Sequence, residues 1–245
     1  RDERRETGRD GAVSRLSSLV SRLGGIVELT FLFDVDNTLL DNDRAKAALD
    51  RRLAELLGAA GAKRFWALYE DVRRDTGKVN IPLTMARYDE EIEHELPDAA
   101  TRRRQRFALA DLLMGFPYGE FVFPGAAAAI DRAHGLGRVA ILSEGDATFQ
   151  PSKIWRAGLV QMVGGNCLVF DQKLDHLAEV VAAFPADHYV LVEDKPAILR
   201  EVEGRLGDAV TTVLVRQGKY GRAPLGGQSF GVVLDDIGGF AEVDW

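Results

Sequence analysis

Asp34 and Asp36 stand two positions apart, directly after the apolar run Leu29–Phe33. In an extended strand such residues point to opposite faces. In a loop leaving the strand, both carboxylates can turn to one ligand. A carboxylate can attack phosphorus and form an aspartyl-phosphate, which divides one hard hydrolysis into two easier steps. Asp34 is the candidate nucleophile. Asp36 is the candidate general acid and base, protonating a leaving alcohol and then deprotonating the attacking water. Ser143 follows Val139–Leu142 and can donate its hydroxyl to a phosphate oxygen, helped by the backbone N–H groups of Glu144 and Gly145. Thr38, Ser143, Glu144 and Gly145 form the candidate substrate-binding set. Lys173 follows Leu168–Phe170 and is placed to balance the charge of the phosphate and the nucleophile. Lys153 is its competitor, but it falls inside a helical pattern and is expected to face solvent.

Glu193 and Asp194 follow Tyr189–Val192. Asp34, Asp194 and a dianionic phosphate cannot be packed together uncompensated. Mg²⁺ takes oxygen ligands and typically uses one or two carboxylates plus substrate phosphate. The expected cofactor is therefore Mg²⁺, held by the Asp34 and Asp194 carboxylates and the Asp36 main-chain carbonyl. Glu193 is either a further ligand or the residue that orients Asp194.

These clusters must be brought together by the elements between them. Short β-branched and aromatic runs recur at Leu29–Phe33, Val139–Leu142, Leu168–Phe170, Tyr189–Val192, Thr211–Val215 and Val232–Leu234. Such runs read as buried parallel strands. Helical patterns over Ala126–His134, Thr148–Ala157, Leu174–Phe184 and Ala197–Leu206 alternate with them. The alternation predicts an α/β fold with a doubly wound parallel sheet. In such sheets ligands bind at the carboxyl ends of the strands, where all four polar clusters fall.

The stretch from about Asp43 to Phe116 breaks the rhythm and holds no convincing strand. Leu49, Leu53 and Leu56 mark one helix face; Phe65, Leu68, Tyr69 and Val72 mark another. Ile81-Pro82 is expected to interrupt the helical pattern, with further helices over Leu83–Glu95 and Ala99–Met114. A helical insertion rooted beside a reactive cluster is well placed to act as a lid. Trp66 and Tyr69 are expected to fill its core, while Arg87 and Tyr88 are candidates for substrate selection. The domain boundaries that follow are an N-terminal extension at 1–27, a core at 28–42 and 119–245, and a helical cap at 43–118. The extension reads as a disordered tail with a short amphipathic helix over Val13–Leu23.

The chain of 245 residues is 46% hydrophobic, enough to fill a real core. Its net charge of -7 argues against a nucleic-acid partner. No apolar run approaches the roughly 20 residues that span a bilayer, and the first residues do not read as a secretory signal. Cys167 is the sole cysteine, so no disulfide forms within the chain, which suits a reducing cytoplasm.

Together, Asp34-Val35-Asp36-Asn37-Thr38-Leu39, the Ser143 cluster, Lys173 and Glu193-Asp194 resemble the motifs of the haloacid dehalogenase-like superfamily, in the same order. The resemblance covers about Leu29 to Val215. It implies a Rossmann-like core, Mg²⁺ and an Asp nucleophile, and the insertion resembles the α-helical cap of the C1 type. Lys195-Pro196 departs from the frequent pattern after the fourth motif, as does the lack of a Pro beside Lys173. Dehalogenases of the superfamily lack the second Asp of the first motif. A halide leaves without a proton and an alkoxide does not, so Asp36 favours phosphoester chemistry. The expected activity is a cytoplasmic Mg²⁺-dependent phosphatase acting on a small phosphorylated metabolite. The alternatives are a phosphosugar mutase and a non-catalytic phosphate-binding protein on the same fold.

Overall fold

Apolar residues on both faces of a strand demand cover on both sides, and β1 (Leu29–Phe33) receives it. Phe31 and Phe33 enter one buried cluster and Leu32 the other. A computed structural model describes residues 27–93, 95–96 and 98–245. The expected N-terminal extension lies almost wholly outside the described residues.

Five more strands complete one sheet: β2 (Arg138–Glu144), β3 (Cys167–Phe170), β4 (His188–Glu193), β5 (Val210–Val215) and β6 (Val232–Leu234). Their spatial order is β3-β2-β1-β4-β5-β6, and every pairing is parallel. β1 sits in the middle, with Phe31 opposite Val139 of β2 on one side and Val190 of β4 on the other. The strand order reverses between β1 and β4. Crevices at the carboxyl ends of strands form at such a switch point, and Asp34 and Glu193-Asp194 stand there. All six strands coincide with the expected runs, β1 and β6 with the same bounds and the others one to three residues longer.

The helices in chain order are α1 (Asn42–Thr76), α2 (Ile81–Glu91), α3 (Ala99–Gly115), α4 (Ala126–His134), α5 (Phe149–Arg156), α6 (Leu159–Met162), α7 (Leu177–Ala183), α8 (Pro196–Leu206) and α9 (Gly218–Gly221). The first three form the inserted helical segment, with no strand among its described residues. Its two apolar faces lie on two helical stretches of the α1 span that meet at Gly58, whose φ of 74° and ψ of 162° are non-helical. Pro82 does not interrupt α2. The break falls earlier, at left-handed Gly77, and Asn80 caps the new helix by accepting from the Leu83 N–H at 2.9 Å. Pro is tolerated in a first turn because its missing N–H would have no intrahelical partner there.

Two linkers join this segment to the sheet, and they pair with each other. The Asp41 N–H donates to the Phe121 carbonyl at 2.8 Å and the Phe123 N–H to the Leu39 carbonyl at 2.9 Å. Both exits are thus fastened at one place beside the end of β1. Among the described residues, no helix is long and apolar enough to cross a membrane.

Candidate active site

The Asp34 N–H still donates to the Val192 carbonyl, at 2.9 Å, so the aspartate is the last residue held by the sheet. The chain then turns sharply. Asn37 adopts a left-handed φ of 62°, which Asn tolerates better than most residues. Its side chain accepts from the Asp43 N–H at 3.2 Å and donates to the Asp43 carboxylate at 3.3 Å, tying the turn to α1. Gln217 holds the turn from behind, its amide donating to the Asn37 and Thr38 carbonyls at 3.3 and 3.2 Å.

Lys173 is buried between two carboxylates. Its Nζ lies 2.6 Å from Asp34 Oδ1 and 2.5 Å from Glu193 Oε2. Burial alone would lower its pKa, but the Asp34 and Glu193 charges prevail and raise it. Lys173 is therefore a fixed ammonium. Of the two candidate lysines, Lys173 is the one that touches Asp34.

One oxygen from each of Asp34, Glu193 and Asp194 lies within 4.8 Å of the other two. Glu193 has both oxygens engaged: Oε2 by Lys173, and Oε1 by the Lys195 N–H at 3.1 Å. Despite its burial, Lys173 and Lys195 hold its pKa below the usual range. Asp194 is the opposite case. Both its oxygens are buried without a hydrogen-bond donor, and so is Asp34 Oδ2. Burial, with Glu193 and Asp34 close by, pushes Asp194 up to about 9. Burial and Glu193 push Asp34 up to about 6, against the pull of Lys173. Orphaned buried carboxylate oxygens are costly. Three such oxygens on two neighbouring carboxylates suit a hard divalent cation, with Asp34 and Asp194 offering the free oxygens and Glu193 bracing Lys173 and the loop.

The Asp36 carboxylate does not join this acidic group. It accepts from Lys153 Nζ at 2.7 and 2.9 Å and from Gln150 Nε2 at 3.3 Å. Lys153 was expected to face solvent; instead it is buried, and it also donates to Asn42 Oδ1 at 3.1 Å. α5 buries Phe149, Gln150, Lys153 and Ile154, a single helical stripe. That 1-2-5-6 spacing was the available signal: Gln150 and Lys153 share a face with two apolar residues.

Ser143 is buried at the end of β2, and its Oγ accepts from Gln150 Nε2 at 2.8 Å. Gly145 does not offer its N–H as expected. That group donates to the Phe170 carbonyl at 2.9 Å. Gly145 matters instead for closeness, since a Cβ there would fall 2.7 Å from Gln150 Cβ. Thr38 is fully buried, with its hydroxyl unpartnered.

A cavity of about 120 Å³ opens between core and helical insertion. Asp36, Glu144, Asp146 and Lys153 line it from the core, and Leu49, Trp66 and Tyr69 from α1. Trp66 and Tyr69 are thus cavity walls and not only packing. Tyr88 is buried against Phe65, and Arg87 pairs with Asp75 at 2.8 Å; neither lines this cavity. Cys167 is half-buried, and burial pushes its thiol up to about 11, as befits an unreactive side chain.

The family model of haloacid dehalogenase-like hydrolases matches residues 29–215. A haloacid dehalogenase-like hydrolase from Burkholderia xenovorans LB400 is 34% identical, covering 89% of this chain and 97% of its own, with a TM-score of 0.78. A 2-haloacid dehalogenase from Pseudomonas syringae pv. tomato DC3000 is 17% identical over 89% of this chain and 97% of its own, with a TM-score of 0.63. A haloacid dehalogenase-like hydrolase from Xanthomonas campestris is 18% identical over 89% and 91%, with a TM-score of 0.59. No curated protein matches the chain. The switch-point carboxylates, the shared fold and the matched span agree, and the chain belongs to the haloacid dehalogenase-like hydrolases.

Proposed function

We propose that the chain is a Mg²⁺-dependent phosphomonoesterase acting on a small phosphorylated metabolite. The observation that carries this reading is Asp36, a second carboxylate two residues after Asp34 that lines the cavity, where a leaving group would sit. Asp34 would attack phosphorus as the bond to the leaving alcohol oxygen breaks. Asp36 would deliver the proton that oxygen needs. A water would then attack the aspartyl-phosphate, losing its proton to Asp36, so that inorganic phosphate leaves and Asp34 is regenerated. Lys173 holds Asp34 in position throughout. Ser143 and Thr38 offer hydroxyls at the phosphate end. Mg²⁺, held by Asp34, Asp194 and the Asp36 carbonyl, would neutralise charge on the phosphate and the carboxylates.

Hydrolytic dehalogenation is the competing chemistry, since a protein of similar fold is a 2-haloacid dehalogenase. That reaction has no use for Asp36, because halide departs unprotonated. A cytoplasmic location remains part of the proposal and rests on the lone cysteine.

The deciding experiment assays purified protein against phosphomonoesters and 2-haloacids, with Mg²⁺ and with excess chelator. Release of inorganic phosphate that needs Mg²⁺ and is lost in Asp34→Asn is the expected result. Halide release would replace this reading with dehalogenation, and phosphoryl return to the substrate would replace it with a mutase.

A further inference from the structure

We propose that Lys153 is a positioning residue for Asp36, holding the proton-transfer carboxylate at the leaving-group side of the cavity. The inference rests on the phosphomonoesterase reading for its kinetics, though not for its geometry. Asp34 and Asp36 leave the same strand end, yet only Asp34 joins the Lys173 cluster. Left to itself, Asp36 could swing toward any cation nearby. Lys153 removes that freedom, because its Nζ meets both Asp36 oxygens, at 2.7 and 2.9 Å. Two contacts to one carboxylate fix its plane as well as its position.

The ammonium is itself fixed. Its side chain is 7% exposed, and Asn42 Oδ1 accepts from it at 3.1 Å. It lies 5.7 Å from the Tyr118 ring centroid and 6.0 Å from that of Phe149, a cation held between aromatic side chains. Gln150 extends the arrangement. One amide group spans Asp36 Oδ2 at 3.3 Å and Ser143 Oγ at 2.8 Å. The phosphate end and the leaving-group end of the site are thereby joined through one turn of α5. The division of labour follows: Lys173 fixes the nucleophile and Lys153 fixes the proton donor.

The test is a series of phosphomonoesters whose leaving groups run from p-nitrophenol to simple alkyl alcohols, assayed with wild type, Lys153→Met and Lys153→Arg. A positioning role predicts that Lys153→Met loses kcat/KM, which reports the leaving-group step and not the later hydrolysis common to all esters, by about 10²-fold or more on alkyl esters, within the range of general acid-base catalysis. On p-nitrophenyl phosphate the loss should be under about tenfold, because that leaving group needs little protonation. KM should change little, and Lys153→Arg should restore part of the alkyl activity. Equal losses across the series, or no loss on alkyl esters, would overturn the proposal. Should Lys153→Met fail to fold, Gln150→Leu removes the other tether and predicts the same skew, in smaller measure. Crystal structures of wild type and variant give an independent reading. Asp36 keeping the same orientation without Lys153 would refute the positioning role. A wild type inactive on every phosphomonoester would refute the phosphatase reading alone, and the Asp36 orientation would then decide the role of Lys153.

Discussion

Gly218 lies so close against Asn37 that a Cβ on the glycine would fall 2.5 Å from Asn37 Cβ and Cγ. Gly218 has a φ of +59°, and Asn37 carries the left-handed turn that follows Asp34. α9 therefore stands as a backstop to the loop that follows Asp34.

Gly218→Ala should accordingly cost stability twice, through backbone strain and through collision with Asn37. The combined loss should be about 2–6 kcal/mol, since strained φ/ψ positions cost about 1–3 kcal/mol each and overpacking adds about 1–3 kcal/mol. Gly207 provides the control, with a φ of +55° and nothing within 4 Å of an added Cβ. Gly207→Ala should lose only the strain. Denaturant midpoints compare the two, and turnover should fall in Gly218→Ala alone. Equal losses would show that contact with Asn37 constrains nothing.

Stability should fall as pH rises when no divalent cation is bound. Asp34 is raised to about 6 and Asp194 to about 9, both above an ordinary value of 3.8. Between about pH 4 and pH 9 the folded chain then holds protons that the unfolded chain has lost, so alkali favours unfolding. The contribution is fully present below about pH 4 and is lost as pH passes the raised values. Thermal midpoints in chelator at pH 5, 7 and 9 should decline. Asp194→Asn should flatten the decline, and Mg²⁺ should raise the wild-type midpoint most at pH 9. A midpoint that climbs from pH 5 to 9 in chelator would contradict the assignment.

Cap residues should govern selectivity through Trp66 and Tyr69. Trp66 is braced by its indole N–H donating to Asp50 at 2.7 Å, and its ring packs edge-on to Tyr69 at 5.4 Å. Trp66→Leu and Tyr69→Ala should lower kcat/KM on the preferred metabolite by roughly tenfold or more, the scale of a lost apolar contact in a pocket. A small phosphoester that does not reach α1 should be affected less. Ratios of specificity constants in folded variants provide the measurement, and unchanged ratios would make this wall structural only.

The sheet was legible because each strand is a short apolar run ended by a polar cluster. Burial on both faces of β1, β2, β4 and β5 leaves no room for another pattern there. Asp34, Lys173 and Glu193-Asp194 were legible for a related reason, since they stand where such runs stop. Lys153 was not, because a lysine within a helical pattern reads as solvated unless its stripe is examined; Phe149 and Ile154 share that stripe. Gly145 was misread because a strand-end N–H looks free until the neighbouring strand is placed, and Phe170 takes it. The two apolar faces of α1 were legible as separate because non-helical Gly58 divides the span between them. Trp66 and Tyr69 could be assigned to a helix face, but not to the cavity that this face meets.

The central place of β1 has a consequence for how the chain is made. Both partners of β1 come late: β2 and β4 pair with it across long stretches of chain. At about 5–20 residues per second, the roughly 100 residues before β2 take on the order of 5–20 s to synthesise. Through that interval Leu29–Phe33 waits with both edges unpaired, an apolar segment with nothing yet to add to. The helices of α1 to α3 are made in the meantime and need only local contacts. The helical insertion thus emerges before the sheet can close, and the strand that ends at Asp34 is exposed to misassociation for longest.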